Sequence, residues 1–152
     1  RPPRSKLFAY RTLFRCGGRG SIMISAVSYG WLSDQRIFYC RLGDVSRESV
    51  DELTSHSITV TNDWDNTKPR LMLYDFSDER VRLTPYIAAR SKDITNAIGG
   101  LYGRTAFLLS PTIESQFLAH FLMRIVRHRV RNVVMRVFYD RQQALDWLEE
   151  VL

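Results

Sequence analysis

Cysteine is scarce in this chain: Cys16 and Cys40 are the only two in 152 residues. They are not spaced as CxxC, so the sequence encodes no local redox dithiol or zinc ribbon. Cys40 lies in an apolar, strand-like run and reads as a reduced thiol packed as a small hydrophobe, from which a cytoplasmic location is the expectation. The three histidines, His56, His120 and His128, form neither HExxH nor any other short ligand spacing. His120 reads as a packed or half-buried helix residue, and His128, set among arginines, as a solvated one. The sequence also lacks a GxSxG elbow, a GxxxxGK[ST] loop and a GxGxxG turn after a strand. Gly99, Gly100 and Gly103 follow a helical pattern and read as its C-terminal stop. No apolar run reaches the roughly 18–20 residues that span a bilayer, and the first residues carry no secretory h-region. Together these absences favour a binding or regulatory module without cofactor or metal over an enzyme.

Acidic residues are missing from the first nineteen positions. Arg1, Arg4, Lys6, Arg11, Arg15 and Arg19 therefore account for the whole net charge of +6, and the remainder of the chain is neutral. A neutral body makes nucleic acid an unlikely partner for the folded part. Residues 1–22, rich in Arg, Pro and Gly, read as a basic, flexible extension, and residues 23–152 as one domain. Three other readings of the extension stay open. Leu7, Phe8, Tyr10, Leu13 and Phe14 suit a short amphipathic turn, the acid-free Arg-rich composition suits an organelle transit peptide, and Met23 suits a start site.

The body is regular. Ile24–Leu32 and Gln35–Leu42 read as a hairpin about Ser33-Asp34. A first helix starts at Ser46 as N-cap, with Val45 and Val50 as staple and Val50 and Leu53 turned inward. Ser57–Trp64 suits strand or continued helix, and 65–69 reads as a loop. Arg70–Phe76 is a nearly continuous apolar run, as in a buried central strand. Thr84 caps a second helix with Pro85 at N1 and Ile87, Ile94 and Ile98 inside. Arg104–Leu109 is a strand. Ser110-Pro111-Thr112 opens a third helix, with Ile113, Phe117, Phe121, Leu122 and Ile125 assigned to one face. Asn132–Phe138 is the last strand. Asp140 and Gln143 form a capping box for the last helix, with Tyr139 and Ala144 as staple and Leu145, Leu148, Val151 and Leu152 toward the core. The order β-β-α-β-α-β-α-β-α predicts an α/β fold with a mixed sheet of about five strands and about four helices. The runs at 70–76, 104–109 and 133–138 should be parallel, with Leu73, Leu108 and Val134 buried.

That order is joined by two phrases, Leu73-Tyr74-Asp75-Phe76-Ser77 and Val137-Phe138-Tyr139-Asp140-Arg141 running into Ala144-Leu145-Asp146-Trp147-Leu148. In these features residues 24–152 resemble the STAS-like family, most of all its SpoIIAA-like bacterial branch, which is related in shape to lipid-carrying domains. The resemblance implies a module that docks a protein partner, with a small apolar or lipid-like ligand as a further expectation. The family's antagonists are switched by phosphorylation in a D-S-S-G phrase at the second helix. Here that place reads Val81-Arg82-Leu83-Thr84-Pro85-Tyr86, and the capping role of Thr84 accounts for it without a switch.

In open α/β sheets ligands gather beyond the carboxyl ends of strands. Asp75, Ser77 and Ser110 are the candidates for a pocket rim there. Asp78, Arg82, Thr84 and Tyr86 complete the candidate binding surface along the loop into the second helix. Arg124, Arg127 and Arg131, at i, i+3 and i+7, are candidate contacts for an anionic partner, or cations complementing a helix C-terminus. Two alternatives remain: an anionic-surface or nucleic-acid binder acting through the basic extension, and a small enzyme using the strand-end carboxylates.

Limited proteolysis with trypsin tests the extension. The expected outcome is cleavage after several early arginines, leaving a stable core that begins near Ser21. Protection of Arg11 and Arg15 at trypsin levels that nick the loop at 65–69 would contradict it.

Overall fold

A computed structural model describes residues 25–152, so the basic extension, Cys16 and Met23 lie outside the described residues. One five-stranded sheet runs in the order β1 (Val27–Leu32), β2 (Ile37–Leu42), β3 (Arg70–Phe76), β4 (Gly103–Leu109) and β5 (Val133–Phe138). β1 and β2 pair antiparallel, and β2–β3, β3–β4 and β4–β5 pair parallel. The helices are α1 (Arg47–Asn62), α2 (Pro85–Ile98), α3 (Ile113–Arg129) and α4 (Arg141–Glu149). The α/β class, the mixed sheet and the element order are those expected from the sequence.

Because the parallel strands follow one another in space, crossovers of one hand bring α1, α2 and α3 to the same face. The sheet therefore has two cores. On the first face Met72, Tyr74 and Phe76 of β3 meet Phe107 and Leu109 of β4 together with Val50 and Leu53 of α1 and Leu118 and Leu122 of α3. Tyr74, Phe76 and Phe107 stack there, with ring centroids 5.5–6.0 Å apart. On the second face Leu71, Leu73, Ala106 and Leu108 are covered by Ala144, Trp147 and Leu148 of α4. β3 is buried along its whole length because it is the central strand and both its faces are covered.

Local signals place the elements. The Ser46 side chain caps α1 by accepting from Ser49 N, Thr84 caps α2 through Ile87 N, and Asp140 caps α4 through Gln143 N. The ambiguous stretch Ser57–Trp64 continues α1 as far as Asn62. Thr54, Ser57 and Thr61 recur there at i, i+3 and i+7 and turn a polar stripe inward. The hairpin turn spans Ser33–Arg36 rather than two residues, and Ser33, Asp34 and Gln35 all adopt positive φ.

Four expectations are corrected. Val134 is 57% exposed, whereas Val133 and Met135 are buried. Successive strand residues point to opposite faces, and on the edge strand β5 it is 133 and 135 that meet the first core. Ile113 and Phe117 are exposed, at 74% and 64%. α3 carries apolar residues around much of its girth, and the hydroxyls of Ser110, Thr112 and Ser115, bonded at 2.9–3.4 Å, turn Ser115, Leu118 and Leu122 inward instead. Tyr139 is exposed and so does not staple α4, although Ala144 is buried. Val151 and Leu152 follow the end of α4 and are exposed; Trp147 fills the inner position.

Gly103 tests the β3–β4 contact. Its φ is +148°, and a Cβ there would stand 2.1 Å from the Arg70 carbonyl oxygen. Gly103→Ala should lower unfolding stability by about 2–4 kcal/mol in urea denaturation. A loss below about 0.5 kcal/mol, the range of an ordinary surface substitution, would refute the close approach.

Candidate functional site

The site begins with the first residue of β3. Arg70 is fully buried, and its backbone N donates to Tyr102 O at 2.7 Å. Its guanidinium points into the layer between sheet and α1, where Nε donates to Thr61 Oγ1 at 3.1 Å and a terminal nitrogen, Nη1, donates to Thr105 Oγ1 at 3.2 Å. Both acceptors are neutral. The second terminal nitrogen, Nη2, has no partner among the described residues, and neither do the nearby Tyr74 hydroxyl and Ser57 Oγ. Burial lowers the Arg70 pKa, with the Tyr74 hydroxyl acting in the opposite sense, yet a guanidinium remains charged at any ordinary pH. Burial raises the pKa of Tyr74 above that of a free phenol, so its hydroxyl keeps its proton.

Beside Arg70 lies a cavity of about 80 Å³. Its walls are mainly apolar: Leu53 from α1, Phe107 from β4, Ile94 and Ile98 from α2, and Leu122 from α3. Tyr74 and Thr105 also line it, as does Arg70 itself. α2 forms its roof. That helix buries only Ile98 completely, while Ile87 and Ile94 are partly buried against the core. Polar contacts with α1 hold it in place. The Tyr86 hydroxyl donates to Asp51 Oδ1 under the Arg47 guanidinium, which sits 5.0 Å from the ring centroid. Arg90 pairs with Asp51 at 3.0 Å and with Asp93 at 2.6 Å.

The residues singled out in the sequence fall in several places. Asp75, the last residue but one of β3, lies on the α4 side of the sheet, the face opposite Arg70, because the two are an odd number of residues apart along a strand. Its carboxylate is fully engaged: Oδ1 accepts from Ser77 N (3.0 Å) and Ser77 Oγ (2.6 Å), and Oδ2 accepts from the Tyr39 hydroxyl (2.9 Å). Burial, and then the charge and hydrogen bond of Asp75, push the Tyr39 pKa up to about 12. Ser110 belongs to the hydroxyl cluster opening α3. Asp78 accepts from Arg80 N and Nε, both at 3.0 Å, which with the Arg80 charge holds its carboxyl down at about 2. Arg82 is exposed, Thr84 is the α2 cap, and Tyr86 is half-buried as a tie between helices. Arg124 is exposed on α3, and Arg131 is exposed beyond that helix's last residue, so the set does not share one helical face. Arg127 lies in α3, and its side chain is outside the described residues.

No family model, curated protein or solved structure matches this chain.

His120 is exposed rather than packed, because the rotation of α3 turns it outward beside Phe117. It lines a shallow groove with Gln116, Met123 and Tyr139. His56 stacks on Tyr29 with centroids 3.8 Å apart, and burial lowers its pKa. Cys40 is buried as expected, and desolvation pushes its thiol up to about 12. Among the described residues no three His, Cys, Asp or Glu side chains gather as metal ligands, and no helix is long and apolar enough to cross a membrane. The sequence reading missed Arg70. Its signal was a lone cation heading a strand that is otherwise nearly all apolar.

Asp51 tests how the roof is held. Asp51→Ala removes the acceptor of both Tyr86 and Arg90, and should cost about 1–2 kcal/mol of stability. Hydrogen exchange of the α2 amides should quicken more than that of β3. Equal changes in both elements would show that Asp51 does not specifically secure the roof.

Proposed function

We propose that this chain is a non-enzymatic STAS-like binding and regulatory module that docks a protein partner and holds a small, largely apolar ligand. The observation that carries this reading is the apolar cavity between α1, α2, α3 and the sheet, beneath a helix with one fully buried residue. Sites for small molecules are concave and mostly apolar, with a few polar groups that fix orientation. Arg70 and Tyr74 supply such groups here.

A partner-docking role is supported by the outer face of α3. Ile113 and Phe117 lie one turn apart and exposed, beside a groove that ends at exposed Tyr139. Exposed apolar side chains grouped in this way mark interaction surfaces. The alternative of an enzyme built on strand-end carboxylates is less well supported, since both Asp75 oxygens already accept hydrogen bonds. A general base has to reach a substrate proton. The second alternative, binding of an anionic surface or nucleic acid, acts through residues 1–22, outside the described residues.

Native mass spectrometry of the full chain purified from its own host tests the proposal. The expected spectrum contains a small-molecule adduct that disappears on denaturation, together with a protein complex that Phe117→Glu weakens. Catalytic turnover abolished by Asp75→Asn, with the fold unchanged by circular dichroism, would overturn the reading in favour of an enzyme.

A further inference from the structure

The inner end of the cavity holds a cation without an anion. Arg70 is completely buried; two of its three nitrogens are used on the neutral hydroxyls of Thr61 and Thr105, and Nη2 is unpartnered. The titratable group that acts on it is the neighbouring Tyr74 hydroxyl, which burial keeps protonated and therefore neutral. No carboxylate of the described residues is hydrogen-bonded or ion-paired to Arg70. A buried charge is strongly disfavoured unless it is paired and hydrogen-bonded. The Tyr74 hydroxyl, also without a hydrogen bond of good geometry, stands close enough to act on Arg70 and can donate or accept; the demand for an acceptor comes from Nη2, which can only donate. A carboxylate meets that demand: it is acceptor-only, and its planar pair of oxygens suits a guanidinium.

The remaining walls define the rest of the ligand. Leu53, Ile94, Phe107 and Leu122 offer it no hydrogen bond. A cavity of about 80 Å³ is smaller than the roughly 150 Å³ that holds benzene, so the apolar part is a few carbons long. We infer that the cavity binds a short-chain aliphatic monocarboxylate, with its carboxylate on Arg70 Nη2 and the Tyr74 hydroxyl and its tail against Leu53, Ile94, Phe107 and Leu122. This deepens the proposed binding function and rests on it. α2 closes over the tail, and the carboxylate supplies a counter-charge that none of the described residues provides.

The test is calorimetric titration of the full chain with butyrate, with butanol as a neutral analogue, with octanoate and with inorganic phosphate. It is run on the wild type, Arg70→Met and Tyr74→Phe, each checked for fold by circular dichroism. Butyrate is expected to bind the wild type at least about tenfold more tightly than butanol, the range of a charge-assisted hydrogen bond. Arg70→Met should abolish that preference while leaving butanol binding in place, and Tyr74→Phe should weaken butyrate alone. If Arg70→Met does not fold, the butyrate-to-butanol ratio on the wild type and the Tyr74→Phe titration decide. Equal affinity for butyrate and butanol, or a preference that survives Arg70→Met, overturns the inference but leaves an apolar-ligand module standing. Phosphate bound as well as butyrate overturns the assignment of an apolar tail, and octanoate bound more tightly than butyrate overturns the short chain. Absence of carboxylate binding sinks the inference, whereas the broader reading falls only if native spectra show neither adduct nor complex.

Discussion

A charged guanidinium is buried in this protein without a charged partner among the described residues, and several features of the first core meet at it. Arg70 stands at the head of the central strand, under α1 and next to the close approach of β4. Its nitrogens need acceptors, and α1 supplies one by turning Thr61 inward; β4 supplies another with Thr105. That requirement accounts for Thr61 on the inner face of α1, where an aliphatic residue is the usual solution; Thr54 instead donates to the Val50 carbonyl of its own helix. Gly103 fits the same corner. It pairs with Arg70 in register, and its missing Cβ lets the two backbones meet at a distance that other side chains would forbid.

The same guanidinium separates the two faces of the sheet by purpose. On the α4 side, polar groups are satisfied: Asp75 is held by Ser77 and Tyr39, and Arg104 donates to the Trp147 carbonyl and to Glu150 while lying over the Trp147 ring. That face is a finished core. On the other face Arg70 Nη2, the Tyr74 hydroxyl and Ser57 Oγ have no hydrogen-bond partner among the described residues, and the cavity is lined by the first two of these residues. Unsatisfied buried donors are rare in folded proteins. Arg70 and Tyr74 both line one cavity, on the side roofed by α2, which is the arrangement that the proposed ligand would complete.

The architecture was legible because its signals are local. Ser46, Thr84 and Asp140 announce helix starts, and the apolar run after Arg70 announces a doubly covered strand. Facing was harder to read. A strand reading Val-Val-Met-Arg-Val-Phe carries apolar residues at both parities and does not say which is buried, so the sequence points to Val134 where Val133 and Met135 are the buried pair. α3 has two apolar stripes, and the hydroxyl cluster at its start selects between them. The site was the least legible part. Asp75 and Ser110 drew attention because they end strands, the usual place for ligands in such sheets. The cavity lies within the first core instead, and its polar groups come from residues 70, 74 and 105, which stand at the amino end of a strand or within a largely apolar one.

The balance between roof and floor follows from that arrangement. A helix that covered the sheet fully would leave no room for a ligand, and one without ties would expose the first core. α2 lies between these limits. Ile98 anchors its last turn in the core, and Tyr86 and Arg90 bind it to Asp51 of α1 through contacts that are at least partly solvent-exposed. Exposed ion pairs contribute little to stability and are weakened by salt. These polar ties therefore add little to the apolar packing of Ile87, Ile94 and Ile98, and elements with few buried contacts are the ones that open most readily. An anion entering beneath α2 would gain Arg70 as a partner and add apolar contacts from the helix above it. The empty chain would then be marginally closed and the occupied one more firmly so, which gives a binding module a conformational difference for a docked partner to sense.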